Sequence, residues 1–388
     1  MKYNFDQPID RGNTNAMKWD AYGKKIDNDI LVMWVADMDL TCPQNVVEKL
    51  QERAAHPIYG YTKEPKETID NIVSWFDRRH NYHLENDGVG LTVGVLQSLR
   101  CAMRIFTKEG DEVILPAPTY KPFVGITESH KRVPLYTDLV WRNDRYEIDF
   151  DALEKKVTDK TTAFILCNPQ NPTGRLFDED EIKAIAEFCE KHSLKIISDE
   201  IHIDFEFDGH HVTPILNCNE YTRNNTISLV SIGKSFNMAG IKGSATFIAN
   251  EELRKQFNEE AELAGVTGLN IFAQTAICEC FSERTDEWMD QVLEYISGNR
   301  DYVENYLKEH LPNFVAYKPE GTYFYWVDMR NNGKVPPEKV NDYLNEHGIY
   351  VNAGTFFGPQ FEGYSRFNLA TTRANVEACM KRLSEIFE

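Results

Sequence analysis

Residues 161–200 read TTAFILCNPQ NPTGRLFDED EIKAIAEFCE KHSLKIISDE, and this stretch decides the fold. Ala163–Leu166 is a short apolar run. It ends in Asn168-Pro169-Gln170-Asn171-Pro172-Thr173-Gly174, whose Asn-Pro pairs and Thr-Gly make a rigid turn. Asp178 then opens an amphipathic period to His192, with Ile182, Ile185, Ala186 and Phe188 or Cys189 on its inner face. A second short strand, Lys195–Ser198, follows. Strand, helix and strand in this order predict parallel strands in a sheet covered by helices on both faces.

The same alternation extends outward. Val113–Leu115, Thr226–Val230 and Ser244–Ile248 are further candidate strands. One helix is predicted from Pro43, which suits a first helical position, and another over Val95–Phe106. Near residue 285 the pattern changes. A long helix over Thr285–His310 leads to an aromatic strand, Tyr323–Asp328, and then to helices at Pro337–Glu346 and Ala374–Phe387. The expected fold class is α/β with a mainly parallel central sheet, plus a smaller α+β domain. The expected division gives 45–285 to the large domain, and 1–44 with 286–388 to the small one.

The chain has 388 residues, no internal repeat and a formal net charge of −19. An acidic surface of this kind repels phosphate backbones, which argues against nucleic acid as a partner. The first residues contain no apolar signal region, and no stretch reaches the roughly 18 apolar residues of a membrane span. The eight cysteines form no CxxC pair, and Cys278 with Cys280 is a weak metal pattern without a second pair. Such usage suits a reducing compartment, and the expected location is the cytoplasm.

Five segments carry chemistry. Ser231-Ile232-Gly233-Lys234-Ser235-Phe236-Asn237-Met238-Ala239-Gly240-Ile241-Lys242 follows an apolar strand. A lysine desolvated at a strand end can act as an amine nucleophile toward an aldehyde cofactor. Taken alone, Lys234 is equally a solvated loop lysine. A phosphate-loop reading of Gly233-Lys234-Ser235 fails, because the motif needs glycine where Ser228 stands. Asp199, delivered at the end of the second strand, can pair with a protonated pyridine nitrogen or simply cap the next turn. Asn171 can donate to a phenolate oxygen. Gly88-Val89-Gly90-Leu91-Thr92-Val93-Gly94 resembles a dinucleotide fingerprint with one extra residue, which makes a nicotinamide enzyme the second hypothesis. The polar stretch before it is not a strand, so the preferred reading makes Gly94 the start of a helix whose free N–H groups hold one phosphate. Arg366, in an apolar-aromatic strand, wants a carboxylate, either a ligand's or a structural partner's.

In conjunction these segments resemble the fold-type I, aspartate-aminotransferase-like superfamily of pyridoxal-phosphate enzymes, over nearly the whole chain. Met33-Trp34-Val35-Ala36-Asp37-Met38-Asp39, His56-Pro57-Ile58-Tyr59-Gly60-Tyr61 and Asp199-Glu200-Ile201-His202 are similar to its cystathionine β-lyase (C–S lyase) branch of the MalY/PatB type. Read alone, Trp34–Asp39 would be only a strand end with two acids. The resemblance implies a three-layer αβα fold and pyridoxal 5′-phosphate as cofactor. It makes Lys234 the covalent anchor and the base at Cα. It places Asp199 on the pyridine nitrogen, Asn171 and His202 near the ring oxygen, and Tyr120 against the ring. Val95, Leu96, Ser231 and Lys242 would hold the phosphate, while Arg366 and Ala36 would meet the substrate. Tyr61 would reach the site of a second subunit, implying a homodimer. Departures from the wider pattern are His202 for a tyrosine, Lys242 for an arginine and Ala353 for a proline. The implied reaction is α,β-elimination from L-cystathionine or a related thioether, giving a thiol, pyruvate and ammonia. The alternative is an aminotransferase of the same fold. A cofactor-retaining regulator is a third class, though no basic DNA-binding module supports it.

Overall fold

The protein is described from a computed structural model covering residues 2–20, 30–142 and 144–387. Its centre is an eight-stranded sheet. In spatial order the strands are Val89–Thr92, Ser244–Phe247, Thr226–Ser231, Lys195–Asp199, Thr161–Cys167, Glu112–Ala117, Val133–Arg142 and Arg145–Ile148. The five strands from Thr226–Ser231 to Val133–Arg142 pair in parallel, and the strands flanking them are antiparallel. Four of these parallel strands, all but the outer Val133–Arg142, are buried on both faces, which is why each reads as a mostly apolar run.

The helix Val95–Phe106 packs with Glu251–Leu263 on one side of the sheet; Leu99, Met103, Leu253 and Phe257 share a core cluster with Ile197 and Leu229. Trp75, Phe76, Phe236 and Phe281 build a second cluster, to which Thr68–His80 and Ile271–Cys280 contribute. On Glu179–Lys191 the capping box is complete. The Asp178 side chain accepts from the Glu181 N–H, and the Glu181 side chain reaches back to the Asp178 N–H.

The 25-residue helix Asp286–His310 leads into a four-stranded antiparallel sheet. Its strands, in order, are Val315–Ala316, Phe324–Asp328, Tyr364–Asn368 and Asn352–Ala353. The final helix, Arg373–Phe387, packs on Asp286–His310, and both contribute to a core with Tyr325 and Phe367.

Two expectations change. Val89–Thr92 is itself a strand, so Gly88 and Gly90 do not form a nucleotide loop. Gly90 is required by close packing: a Cβ there would lie 2.7 Å from the Thr246 hydroxyl on the neighbouring strand. Trp34–Asp39 is not a strand end. Pairing with Ile349–Tyr350 stops at Val32, and residues 34–40 continue as an irregular strap.

Candidate active site

Four of the parallel strands end at Ala117, Cys167, Asp199 and Ser231, where ligands collect in open α/β sheets. A cavity of about 220 Å³ lies there. Lys234, Asp199, His202, Asn171, Tyr120 and Ala36 all line it. So do Val95, Leu96, Ser231 and Lys242. Residues up to 206 positions apart in the chain thus share one wall, from Ala36 to Lys242 (242 − 36). A wider depression of about 600 Å³ around Tyr3, Tyr295 and Arg373 contains none of them.

Lys234 stands on the short helix Ile232–Ser235, directly after its strand. The Ser231 hydroxyl caps this turn, accepting from the Gly233 N–H at 3.0 Å and donating to the Gly243 carbonyl at 2.8 Å. Lys234 Nζ donates to the Ala36 carbonyl at 2.6 Å. Burial, reinforced by the charge of Arg366 and only partly offset by Asp37 and Asp199, brings its ammonium down to about 8. A usable share of free amine therefore exists near neutral pH.

Asp199 is buried, and one carboxylate oxygen accepts from the Ile201 N–H at 3.1 Å. Burial pushes its carboxyl up to about 7, against the pull of that N–H and of Lys234. A cation placed beside it would relieve this cost. His202 is held neutral, its pKa driven well below the usual range by burial and by Lys234 and Arg366. Its ring meets Tyr323 and Phe324 edge-on, with centroids at 5.5 and 5.2 Å. Buried His202 Nδ1 has no hydrogen-bond partner. Such an atom is costly unless a ligand completes it.

At the other end of the cavity, Gly94 caps the helix Val95–Phe106 with φ +157°. A Cβ on Gly94 would fall 2.5 Å from Gln97 Oε1, and one on Gly233 would fall 3.2 Å from the Ser231 hydroxyl. Backbone is thereby left bare beside leading N–H groups that have no intrahelical partner, a setting that suits an anion.

Arg366 is buried in the middle of its strand. Nη1 donates to Asn171 Oδ1 at 2.9 Å, and Nη2 donates to the Trp34 carbonyl at 2.8 Å and to Asn352. The guanidinium lies 3.9 Å from the Phe324 ring centroid. Among the described residues no carboxylate pairs with it, so the structural ion pair is not found. Burial brings Arg366 down to about 10. Its Nε is buried without a partner. A buried cation in this state is completed by an anion from solution.

Tyr61 is fully exposed and does not line this cavity. Two further residues, Asn352 and Tyr323, carry no chemical signal in the sequence. Asn352 holds Arg366, and Tyr323 donates to the Ala36 carbonyl at 3.1 Å. The string around Asn352 departs from the wider pattern only at Ala353, and in the sequence Tyr323 is the first residue of an aromatic run. The strap also has two unforeseen anchors. Asn368 donates to the carbonyls of Val35 and Asp37 at 2.6 and 2.7 Å. Asn237 donates to those of Met38 and Leu40 at 3.1 and 3.0 Å and accepts from the Met38 N–H at 2.9 Å.

The site therefore offers a nucleophilic amine, a carboxylate seeking a cation, a neutral imidazole seeking a partner, an anion cradle and an unpaired guanidinium. A family model described as Aminotransferase class I and II matches residues 29–383. The cystathionine beta-lyase PatB of Bacillus subtilis (strain 168) is 34% identical over 382 residues, covering 98% of each chain. Cystalysin from Treponema denticola, which contains a pyridoxal 5′-phosphate cofactor, is similar with a TM-score of 0.94 and 29% identity, over 100% of this chain and 99% of its own. A pyridoxal-phosphate-bound protein from Clostridium difficile 630, provisionally assigned as an aminotransferase, gives a TM-score of 0.94 and 32% identity over 100% of both chains.

Proposed function

The chain belongs to the aminotransferase class I and II family, and from that premise we propose that it is a pyridoxal-phosphate-dependent C–S β-lyase, cleaving L-cystathionine-type thioethers to a thiol, pyruvate and ammonia. The residues fit the cofactor on their own terms. The orphaned nitrogen of His202, the strained carboxylate of Asp199 and the bare backbone at Gly94 and Gly233 match a ring with one polar edge and a phosphate.

Bound there, pyridoxal phosphate supplies an aldehyde for amine exchange and a ring that accepts the electron pair released at Cα. Lys234 would carry the cofactor, Asp199 would hold the proton of its pyridine nitrogen, and Asn171 and His202 would address its ring oxygen. Tyr120 would pack against the ring. The N–H groups of Val95 and Leu96, with Ser231 and Lys242, would hold the phosphate. Arg366 grips the substrate α-carboxylate as a planar fork, with Ala36 beside the substrate. Lys234 Nζ, with its lowered basicity, takes the proton from Cα. Sulfur leaves Cβ as a thiol. The remaining three-carbon fragment takes up water and ends as pyruvate and ammonia.

The observation that carries this reading is Arg366, buried, with no carboxylate partner among the described residues, and bonded to a residue that lines the cavity of Lys234. We extend the proposal to a homodimer, in which Tyr61 enters the partner's site. Exposed Ile58, Tyr59 and Tyr61 in one irregular segment support it. The proposal also assigns 45–285 to the cofactor-binding domain and places the protein in the cytoplasm, a setting that suits eight free cysteines. No helix of the described residues is long and apolar enough to cross a membrane.

The test is product analysis. With L-cystathionine and no keto acid, the holoenzyme should release pyruvate and a free thiol one-to-one for many turnovers. Turnover that stops after one equivalent and resumes only with a keto acid would replace the lyase with an aminotransferase.

A further inference from the structure

Behind Lys234 lies a buried ionic chain that the proposed reaction does not use. The residue after the lysine, Ser235, is buried and donates its hydroxyl hydrogen bond to Asp204 Oδ2. Asp204 Oδ1 accepts from Trp75 Nε1 at 2.8 Å and lies 2.9 Å from His80 Nε2. The other ring nitrogen, His80 Nδ1, lies 3.3 Å from Glu206 Oε1. The side chains of His80 and Asp204 are 2% and 1% exposed, so water does not share these bonds.

Geometry decides the charge on His80. A neutral imidazole has one N–H and would turn a lone pair toward one of two carboxylates. With both carboxylates ionised, both ring nitrogens donate, which makes His80 an imidazolium. Burial opposes that charge, but the hydrogen bonds and charges of Asp204 and Glu206 outweigh it and push the group up to about 9. Asp204 is held below its ordinary range: burial would raise it, but His80, Ser235 and Trp75 prevail. The charged groups facing His80 are Asp204 and Glu206, and Glu206 is itself approached by His211 Nδ1 at 3.0 Å.

The placement of Asp204 gives this chain a role. It sits in a tight turn that begins at Asp199 and carries His202; the Ile203 N–H donates to the Glu200 carbonyl and the Phe205 N–H to that of His202. Through Ser235 it grips the separate turn that carries Lys234. The two turns approach the cofactor from different strands. A hydrophobic core would pack as well without a buried charge, and replacing such ion pairs by apolar groups is often neutral or stabilising. What a directional ionic bond adds is registry between the turns.

We propose that His80, Asp204 and Ser235 form a positioning relay that sets the reach of Lys234 relative to Asp199 and His202, so that the ionic state of a histidine behind the site governs how firmly the cofactor is held. The proposal rests on the cofactor reading of the site. His80 and Ser235 are positioning residues, since neither lines the cavity.

Removing Asp204 risks unfolding, so the test removes one hydroxyl. Ser235→Ala is compared with Ser228→Ala, whose hydroxyl is equally buried but bonds Glu200 instead. Pyridoxal phosphate affinity, the pH midpoint of the bound cofactor's absorbance change, and kcat and KM are measured on each. Loss of a hydrogen bond to a charged group predicts about tenfold weaker cofactor binding for Ser235→Ala. The absorbance midpoint should shift, and kcat should fall with KM nearly constant. Ser228→Ala should match the wild type in all of these. His80→Gln should behave like Ser235→Ala at neutral pH, and the wild type's advantage over it in cofactor affinity should persist through neutral pH and fade as pH rises through about 9. Wild-type cofactor affinity and absorbance titration in Ser235→Ala would overturn the proposal, as would equal effects from Ser228→Ala. If the wild type itself shows no reducible cofactor on Lys234, the cofactor reading fails, and that result is distinguishable from either.

Discussion

Arg366 Nη1 donates to Asn171 Oδ1 at 2.9 Å, so the group proposed for the substrate carboxylate and the group proposed for the ring oxygen hold each other in place. With the Asn171 carbonyl oxygen engaged, its amide N–H groups remain for a ligand oxygen. Arg366→Ala should therefore raise KM for cystathionine by roughly thirtyfold or more, from a loss of about 2–5 kcal/mol for a buried charged contact. Arg366→Lys should recover only part of it, because an ammonium cannot reproduce the planar fork. Steady-state kinetics check both, and an unchanged KM in Arg366→Ala would remove Arg366 from substrate binding.

Lys234 should be the single point of covalent cofactor attachment. Borohydride reduction followed by peptide mapping should find the adduct there, and Lys234→Ala should lose both the adduct and nearly all turnover. The pH dependence is also specified. Attack on an aldehyde needs the free amine, so cofactor uptake by the apo-protein should speed up as pH rises, with a midpoint near 8 instead of the ordinary 10.5. Stopped-flow absorbance measures this, and a midpoint near 10 would contradict a desolvated lysine.

Asp199 predicts a stability change of defined sign. Its carboxyl is raised from 3.8 to about 7, so between those values the native apo-protein binds more protons than the unfolded chain. Stability from this group is present at low pH and is lost as pH rises through about 7. Relative to Asp199→Asn, the wild-type apo-protein should lose on the order of 2–3 kcal/mol between pH 5 and pH 8. Urea midpoints at the two pH values give the comparison, and a constant difference would argue against a buried, uncompensated carboxylate.

Tyr61 supplies the assembly prediction. If it completes a partner's site, Tyr61→Phe and Lys234→Ala chains should each be impaired alone and regain activity when mixed. In the mixed dimer one site again has both groups. Light scattering that finds a fully active monomer would exclude the arrangement.

The parallel strands and the groups at their ends were legible in the sequence for a physical reason. A strand covered on both faces is mostly apolar, and the first charged residue at its end then marks the ligand edge, as Asp199 does after Ile196, Ile197 and Ser198. The hairpin Val133–Arg142 and Arg145–Ile148 had no such signature, because its outer residues are exposed and its composition is mixed. Val89–Thr92 was hidden by its glycine, kept for close approach to Thr246. Arg366 was recognised as needing an anion, but only the fold shows that no carboxylate of the described residues supplies one. Asn352 and His80 were invisible for a different cause. Their partners are brought to them by strand pairing and helix packing, and an isolated Asn or His in a sequence does not announce a contact made across the fold.

The strap from Trp34 to Leu40 has a consequence for how this mouth tolerates change. The carbonyls of Trp34, Val35, Ala36 and Asp37 are met in turn by Arg366, Asn368, Lys234 and again Asn368, and those of Met38 and Leu40 by Asn237. Every one of these contacts is to main chain, and a carbonyl is the same whichever amino acid carries it. What the strap must preserve is its count. Substitutions there leave the acceptor row where it is, whereas losing or gaining one residue moves the whole row past the side chains that grasp it. Asp37 and Asp39 also pair with Arg11 and Lys18, and Met38 and Leu40 are buried in the core, so exchange of letters is limited there by the side chains, whereas insertion and deletion are closed to the whole strap.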